Sequence, residues 1–551
     1  MKAQYGIELG NGHTHFLDMT FEVPGKEIAG LDTLRDWNER ALLIPRSKLR
    51  DGIDTTEHTN ARQYLNCMFA LAEVLFQQSG LPVFEKPRID EVSRVSSEKR
   101  MYKVKIRYFE IDEAPKDIFK FMYNTCLRLC NWMLENELTE KNQNKFYEMI
   151  MEKVISPIKK SFPSGKSTMQ ILRYAHEARI PYRHIGLGAY LLGWGSKAIR
   201  LDRSVTDLDS AIALRLSQSK TATANFLRNA GLPAPKHKVV GDKKSAQKAA
   251  LYLKYPVVIK PNDLERGEGV TVDISDDNAL IAAFESAKKL SPSKRVLVEK
   301  QVEGVCHRVF ITGGQMLYAV RRNAMSVVGN GKNTVLSLLD EELQKQCRMP
   351  PWMRSEIEPM DDLARESIKR AGHTLDSIPK EGEKVPLRRI ESTLWGGVDE
   401  EVTRTIHPEN IRIAIDAAAL FGLNTAGVDI ICEDISIPWF KSGAIINEVN
   451  FAPMLGGAEI SRGYVSEYLS RAIDGDGRIP VRYVSGKKAK KAAMEMQQKL
   501  LDKGLRCYLT SVAQTIDHNK KVVPLALNTL LARVRALLMR KDVDALVVVG
   551  D

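Results

Sequence analysis

No apolar run in the 551 residues is long enough to cross a bilayer, and the opening MKAQYGIELGNGHTHF lacks the apolar core of a signal peptide. A cytoplasmic protein with no membrane partner is the expectation. Cysteine is sparse: seven residues, with no C-x-x-C pair. That argues against a structural zinc and against a disulfide framework. Cys126 and Cys130, four apart in an apolar helical stretch, read as buried thiols and not as ligands. Zinc-finger, RNA-recognition and paired basic-helix signatures are absent, so nucleic acid is not an expected partner. Acidic residues are in deficit, 69 against 81 Lys and Arg, giving a net charge of +12. That excess suits an anionic partner such as a nucleotide, a phosphorylated intermediate or an acidic polymer, with most lysines on a solvated surface.

What is present is the composition of an ordinary globular protein, 44% hydrophobic and 27% charged, with length for two to four domains. Three regions separate. Residues 1–165 mix strand and helix: YKVKIRYFEI alternates as a half-buried strand, and IFKFMYNTCLRLCNWMLEN has helical spacing. Residues 166–475 alternate helix and strand. KTATANFLRNAGLPAP reads as a helix stopped at Gly231; YPVVIKP, RVLVEKQV, CHRVFITGGQMLYAVR and TAGVDIIC read as strands. The Pro-, Arg- and Glu-rich stretch 340–405 reads as an insertion or mobile element. Residues 476–551 give a βαβαβ pattern, hence a small parallel α/β unit. The chain is therefore α/β (α+β) overall.

Chemistry concentrates in the middle region. PVVIKPNDLERGEGVTV ends a strand on Lys260, passes through a loop with Gly267 and Gly269, and starts another strand. A plain hairpin explains such glycines; a loop that closes over phosphates beside a fixed cation explains the lysine as well. GVDIIC places Asp429 on a strand, and INEVNF places Glu448 and Asn450 two apart, on one face of another. Three hard oxygen donors on adjacent strands suit Mg²⁺ and phosphate oxygens. In VLVEKQV, the strand-to-loop hinge at Glu299, Lys300 and Val302 can offer backbone hydrogen bonds to an adenine edge.

The order is Lys220 on a helix, Lys260 on a strand, a glycine loop, the V-E-K hinge, paired Arg321 and Arg322, then G-V-D and N-E-V-N. It resembles the ATP-grasp superfamily, which joins a carboxylate to an amine through an acyl phosphate. LGWGSKAIRLDRSVTDLDSAIALRLSQSK, YPVVIKPNDLERGEGVTV, HTLDSIPKEGEKVPLRR, IHPENIRIA and TAGVDI narrow the resemblance to the cyanophycin synthetases. The resemblance implies an N-terminal α+β domain (1–165), an ATP-grasp ligase (166–475) and a short parallel α/β remnant of a Mur-ligase-like domain (476–551). It implies ATP binding by Lys220, Lys260, Arg266, Gly267, Gly269, Glu299, Lys300, Val302 and His307. Mg²⁺ would sit on Asp429, Glu448 and Asn450; Arg321, Arg322 and Lys260 would act in catalysis; Lys197, Arg308, Arg388, Gly396 and Gly397 would hold substrate. Loops 262–269 and 327–334 would cover the site. The implied partners are an amino acid, a peptide or polymer carboxylate, a second ligase and further copies of the chain.

Departures from the family pattern stand beside this. The glycine loop has Arg266 and Glu268 where the family has histidine and arginine, Cys306 stands where the family has an acid before His-Arg, and STLWGG, ending Trp395, Gly396, Gly397, stands where the family has N-L-S-T-G-G. In the C-terminal region the P-loop T-G-T-N-G-K-T becomes Ser485–Lys491: Lys490 remains, Ala489 replaces a glycine, and Lys491 replaces the Mg²⁺-binding threonine. The expectation is one working ligase centre. A catalytically silent nucleotide- or polymer-binding subunit that supports an active homologue is the alternative.

Overall fold

A computed structural model describes residues 13–22, 27–49, 59–95, 101–111, 114–115, 117–161, 165–264, 268–355, 358–388, 391 and 396–550. The chain divides into two compact units: Met1–Leu201 with Cys347–Arg354 and Ile473–Asp551, and Asp202–Gln346 with Ser355–Ala472. The C-terminal segment thus clusters with the N-terminal one.

In the first unit, β1 (His13–Glu22), β2 (Arg88–Arg94) and β3 (Met101–Glu110) form an antiparallel sheet of order β1-β3-β2. β3 follows its sequence alternation: Tyr102, Val104, Ile106 and Tyr108 are buried while Lys103 and Arg107 are exposed. The buried residues share a core with helices Thr59–Ser79 and Ile118–Glu135, including Tyr64, Met68, Phe119 and Tyr123. Cys126 and Cys130 lie fully inside this core as free thiols, each pushed up by burial. β4 (Tyr182–Gly186), β5 (Ala189–Leu192) and β6 (Ile199–Asp202) follow as an antiparallel meander.

The second unit contains the short β7 (Val205–Thr206) and the helix Lys220–Asn229, which ends before Gly231 at φ +80°. A four-stranded antiparallel sheet then forms from β8 (His237–Val240), β9 (Val257–Pro261), β10 (Thr271–Ile274) and β11 (Val296–Lys300), in the order β10-β9-β11-β8. Helices Lys243–Leu253 and Asp277–Leu290 cover one face, where Val257, Ile259, Val296 and Val298 are buried. Period-two alternation puts Lys260 and Glu299 on the other face.

The second sheet holds β12 (Val305–Thr312), β13 (Gln315–Asn323), β16 (Val398–Glu401), β17 (Thr425–Cys432) and β18 (Ile445–Phe451), in the antiparallel order β16-β13-β12-β17-β18. Between β13 and β16 the chain forms the antiparallel pair β14 (Ser326–Val328) and β15 (Lys384–Pro386), joined through helical segments. The helix Pro408–Phe421 packs with Val309, Ile311, Ala319, Val428 and Ile430. A bulge between Asp429 and Ile430 lets Ile446 and Val449 both enter that core while Glu448 keeps its place opposite Asp429.

The 340–405 stretch, expected as an insertion or mobile element, contains regular helices. Helices Val335–Arg348 and Asp362–Arg370 set Val335 and Leu339, then Ala364 and Ile368, one turn apart. With Val327, Val385 and Leu387 these residues make a separate small core. Charged composition hid two narrow apolar stripes.

In the C-terminal segment β19 (Val481–Val484), β20 (Cys507–Thr510) and β23 (Ala545–Val549) are parallel, as the βαβαβ pattern requires, around helices Ala489–Leu501 and Leu530–Leu538. β21 (Thr515–Ile516) and β22 (Val522–Val523) extend the sheet as an antiparallel edge that the sequence reading did not include. In the stretch Ser485–Lys491 Gly486 has φ +101°, Ala489 is buried, and Lys490 and Lys491 are exposed.

Gly195 has φ +59°, and an added Cβ would lie 2.3 Å from the Val543 carbonyl oxygen and 2.6 Å from Ile479 Cδ1. Gly195→Ala is expected to cost about 3 kcal/mol from left-handed strain plus overpacking. A drop in the urea midpoint of the full chain checks this.

Candidate functional site

The first sheet presents one buried ion pair. Lys260 Nζ donates to Glu299 Oε1 at 2.9 Å, and each side chain is only 9% exposed. Antiparallel register sets Glu299 opposite Val258, so Lys260 and Glu299 are diagonal neighbours on the same face. Lys220, first residue of its helix, donates to the carbonyl of Leu264 at the mouth of the glycine loop. Arg266 and Gly267 lie outside the described residues. Gly269 has φ +68°, and a Cβ there would meet Pro261 Cγ at 2.8 Å, so glycine is required for both angle and space. Lys300 spends its ammonium on the carbonyls of Lys254 and Tyr255, at 2.9 and 3.2 Å. Val302 is half-buried in the link between β11 and β12.

The second sheet carries a row of charges on the face away from the helix Pro408–Phe421. Arg308 grips Asp429 through Nε and Nη2, both at 2.7 Å. Asn450 Nδ2 donates to Asp429 Oδ2 at 3.2 Å and to the Gly427 carbonyl at 3.1 Å. Glu448 stands opposite Asp429 and makes no hydrogen bond or ion pair with the described residues. Burial would raise the Asp429 carboxyl, but Arg308, with Arg322 and Asn450, holds it below the usual carboxylate value. The Glu448 carboxyl goes the other way. Burial and the Asp429 charge push it up, opposed by Lys260, Lys220 and Arg308. Cys306 N–H donates to Glu391 Oε2 at 2.7 Å. Burial raises both the Cys306 thiol and the Glu391 carboxyl.

Strand alternation divides the other expected residues. Arg321 pairs in register with His307, and His307 in turn with Ile430, which is on the helix-packed face. His307 is 2% exposed, lies 3.6 Å from Cys432 Sγ through Nδ1, and is held toward neutrality by burial and Arg321. Arg322, one residue on, joins Arg308 and Asp429 on the open face. Only one of the paired arginines therefore belongs to the row, and His307 does not. Arg388 is buried, and its guanidinium bonds the carbonyls of Leu387 and Glu358 and the Asp361 carboxylate. Gly396 has φ +78° beside Met325, and Gly397 leads into β16. Lys197 belongs to the first unit and pairs with Asp474 at 2.9 Å. Trp395 is outside the described residues. Two acids went unnoticed in the sequence, Glu391 and Asp399; both stand in polar runs whose partner strand no local pattern identifies.

Among the described residues no group of three His, Cys, Asp or Glu side chains could hold a metal ion; beside Asp429 and Glu448 stands the Asn450 amide. No helix among those residues is long and apolar enough to cross a membrane.

Residues 219–310, which span Lys220, Lys260, Glu299 and Arg308, match the family "Carbamoyl-phosphate synthase L chain, ATP binding domain". The cyanophycin synthetase of Trichormus variabilis is 30% identical over 404 residues, 71% of this chain and 43% of that protein. The chain is a homologue of the cyanophycin synthetases. Its α/β class and ATP-grasp fold are those expected from the sequence. The glutathione biosynthesis bifunctional protein GshAB of Streptococcus agalactiae is 28% identical over 263 residues, 46% of this chain and 34% of that protein. A bifunctional glutathione synthetase structure from Pasteurella multocida aligns at TM-score 0.44 and 22% identity, covering 64% of this chain and 50% of that one. The chain spans less than half the length of the curated cyanophycin synthetases it matches.

Lys260 and Glu299 are worth testing as a unit. Removing either partner alone, in Lys260→Met or Glu299→Leu, is expected to cost about 3 kcal/mol, because a buried charge loses its counter-ion. The double variant is expected to recover most of that loss. A double-mutant cycle on denaturation midpoints measures it.

Proposed function

We propose that the chain is an ATP-dependent carboxylate–amine ligase that forms amide bonds through an acyl phosphate, in the synthesis of a cyanophycin-like peptide or polymer. The observation that carries this is the row Arg322, Arg308, Asp429, Glu448 and Asn450 on one sheet face, in the unit that also holds the Lys260–Glu299 pair. ATP-binding and ligase relatives support it.

In this reading Lys220 and Lys260 supply fixed positive charge to the nucleotide phosphates, and the backbone of Glu299–Val302 takes the adenine edge. Gly269 lets loop 262–269 close and exclude water. The donor chemistry fits Mg²⁺. Glu448 has a carboxylate that bonds none of the described residues, and Asn450 donates through Nδ2, leaving its carbonyl oxygen as an acceptor. Asp429, Glu448 and Asn450 would hold the ion, which when bound neutralises charge on the transferring phosphoryl group. Arg322 is placed to donate to the oxyanion formed when the amine attacks. Arg308 positions Asp429.

We retain the division into 1–165, 166–475 and 476–551 as a division by descent. The last part is a Mur-ligase-like remnant without a working P-loop. One ligase centre makes one bond type, so a polymer of alternating residues would need a second ligase. A homo-oligomer in the cytoplasm completes the reading. The two hydrogen bonds that Arg308 places on Asp429 favour a second reading, a silent nucleotide- or polymer-binding subunit.

Phosphate release from Mg·ATP, screened over single amino acids with acidic or cyanophycin-like peptide primers, separates the two. Turnover that depends on both primer and amino acid is expected, and ATP binding without turnover across the screen supports the silent subunit. Arg322→Ala is expected to lower turnover about 10²-fold. Arg321→Gln, on the opposite face, is expected to change it less than about threefold, a limit set by the usual size of off-site effects.

A further inference from the structure

The row of charges does not end at Arg322. β16 is the edge strand of its sheet, and Asp399 on it stands directly opposite Arg322. Three acids follow one another in Asp399–Glu401, and two of them are spent. Glu400 accepts from Asn323 Nδ2 at 3.2 Å, and Glu401 accepts from the Tyr464 hydroxyl. Asp399 makes no hydrogen bond or ion pair with the described residues. Arg322 Nε is buried and has no partner among the described residues either. A carboxylate and a guanidinium thus lie side by side on the face that carries Asp429, each with an unspent polar atom. The other ionisable groups around Asp399 are Arg308 from β12, Asp429 from β17 and Tyr318 from β13. Burial raises the Asp399 carboxyl, opposed by Arg322 and Arg308.

We infer that Asp399 receives the incoming primary ammonium of the amino-acid substrate beside Arg322 and takes its proton. This rests on the ligase reading above. An amino group arrives as an ammonium and cannot attack until it is neutral. The ammonium gives one proton to the Asp399 carboxylate, and the freed lone pair forms the C–N bond at the acyl-phosphate carbonyl. Arg322 donates to the oxyanion. The C–O bond to phosphorus then breaks, and phosphate leaves with that electron pair and accepts the second proton of the nitrogen. No oxidant or further reactant is needed.

Two nucleophiles test the assignment in the full chain with Mg·ATP and an aspartate-rich peptide acceptor. Hydroxylamine, unprotonated at neutral pH, traps the acyl phosphate as a hydroxamate without a base. Aspartate, arginine and lysine supply ammonium groups and give amides. Asp399→Asn is expected to lower the amide-to-hydroxamate ratio about 10²-fold at neutral pH. Its amide rate is expected to rise about tenfold per pH unit as free amine accumulates. Asp399→Glu is expected to restore part of the ratio. A ratio that Asp399→Asn leaves unchanged, including a proportional loss of both products, overturns the assignment. A wild-type chain that yields neither product overturns the ligase reading itself, and this inference with it.

Discussion

The grip of Arg308 on Asp429 is the interaction around which the second sheet is organised. Asp429 is 3% exposed, and a carboxylate so deep in a sheet is tolerated only with a counter-charge and hydrogen bonds. Arg308 supplies both from the adjacent strand, in a planar two-bond geometry that a lysine could not reproduce. Once that pair is fixed, the register places Glu448 and Asn450 on one side of it and Cys306, Arg322 and Asp399 on the other. Charged side chains then cross five strands on one face, with two arginines flanked by acids, while the opposite face is apolar and packs on a helix.

The first sheet solves the same problem on a smaller scale. Its helix-covered face takes Val257, Ile259, Val296 and Val298, which leaves Lys260 and Glu299 together on the other side. Both ions are nearly buried, and each makes the other tolerable. The electrostatic reach of Lys260 and Lys220 to Glu448 links the two sheets within the unit. That coupling lowers the cost of a second carboxylate beside Asp429 and makes the site responsive to any cation or anion that enters it.

The C-terminal segment has strand, loop and helix around its own apolar core. At Ser485–Lys491 it has a buried Ala489 and exposed Lys490 and Lys491 at the helix start. A phosphate-binding loop needs a glycine that leaves room for backbone amides and a hydroxyl ligand for Mg²⁺; a methyl and a lysine stand at those positions here.

Much of the architecture was legible because it depends on local pattern. The alternation in YKVKIRYFEI, the cap at Gly231, the βαβαβ tail and the pairing of Glu448 with Asn450 on one face all follow from period and turn chemistry. The glycine at 269 and the order of lysines, hinge and carboxylates could likewise be read without coordinates. Sequence adjacency misled where side chains alternate. Arg321 and Arg322 look like one pair, yet a strand must send them to opposite faces, and only the cross-strand register says which one meets Asp429. The same holds for His307 and Arg308. Arg388 read as a substrate residue, but its buried guanidinium is spent on the 358–387 segment. The 340–405 stretch hid its core because two short stripes on separate helices become apolar surface only when they pack together. By itself, then, the sequence determined most of the elements, the fold class and the set of chemical groups, since these follow from nearest-neighbour periodicity. Which groups share a face, which are already spent on a partner, and that Asp399 stands beside Arg322 with no bond to the described residues were decided by long-range strand pairing, which no local pattern encodes.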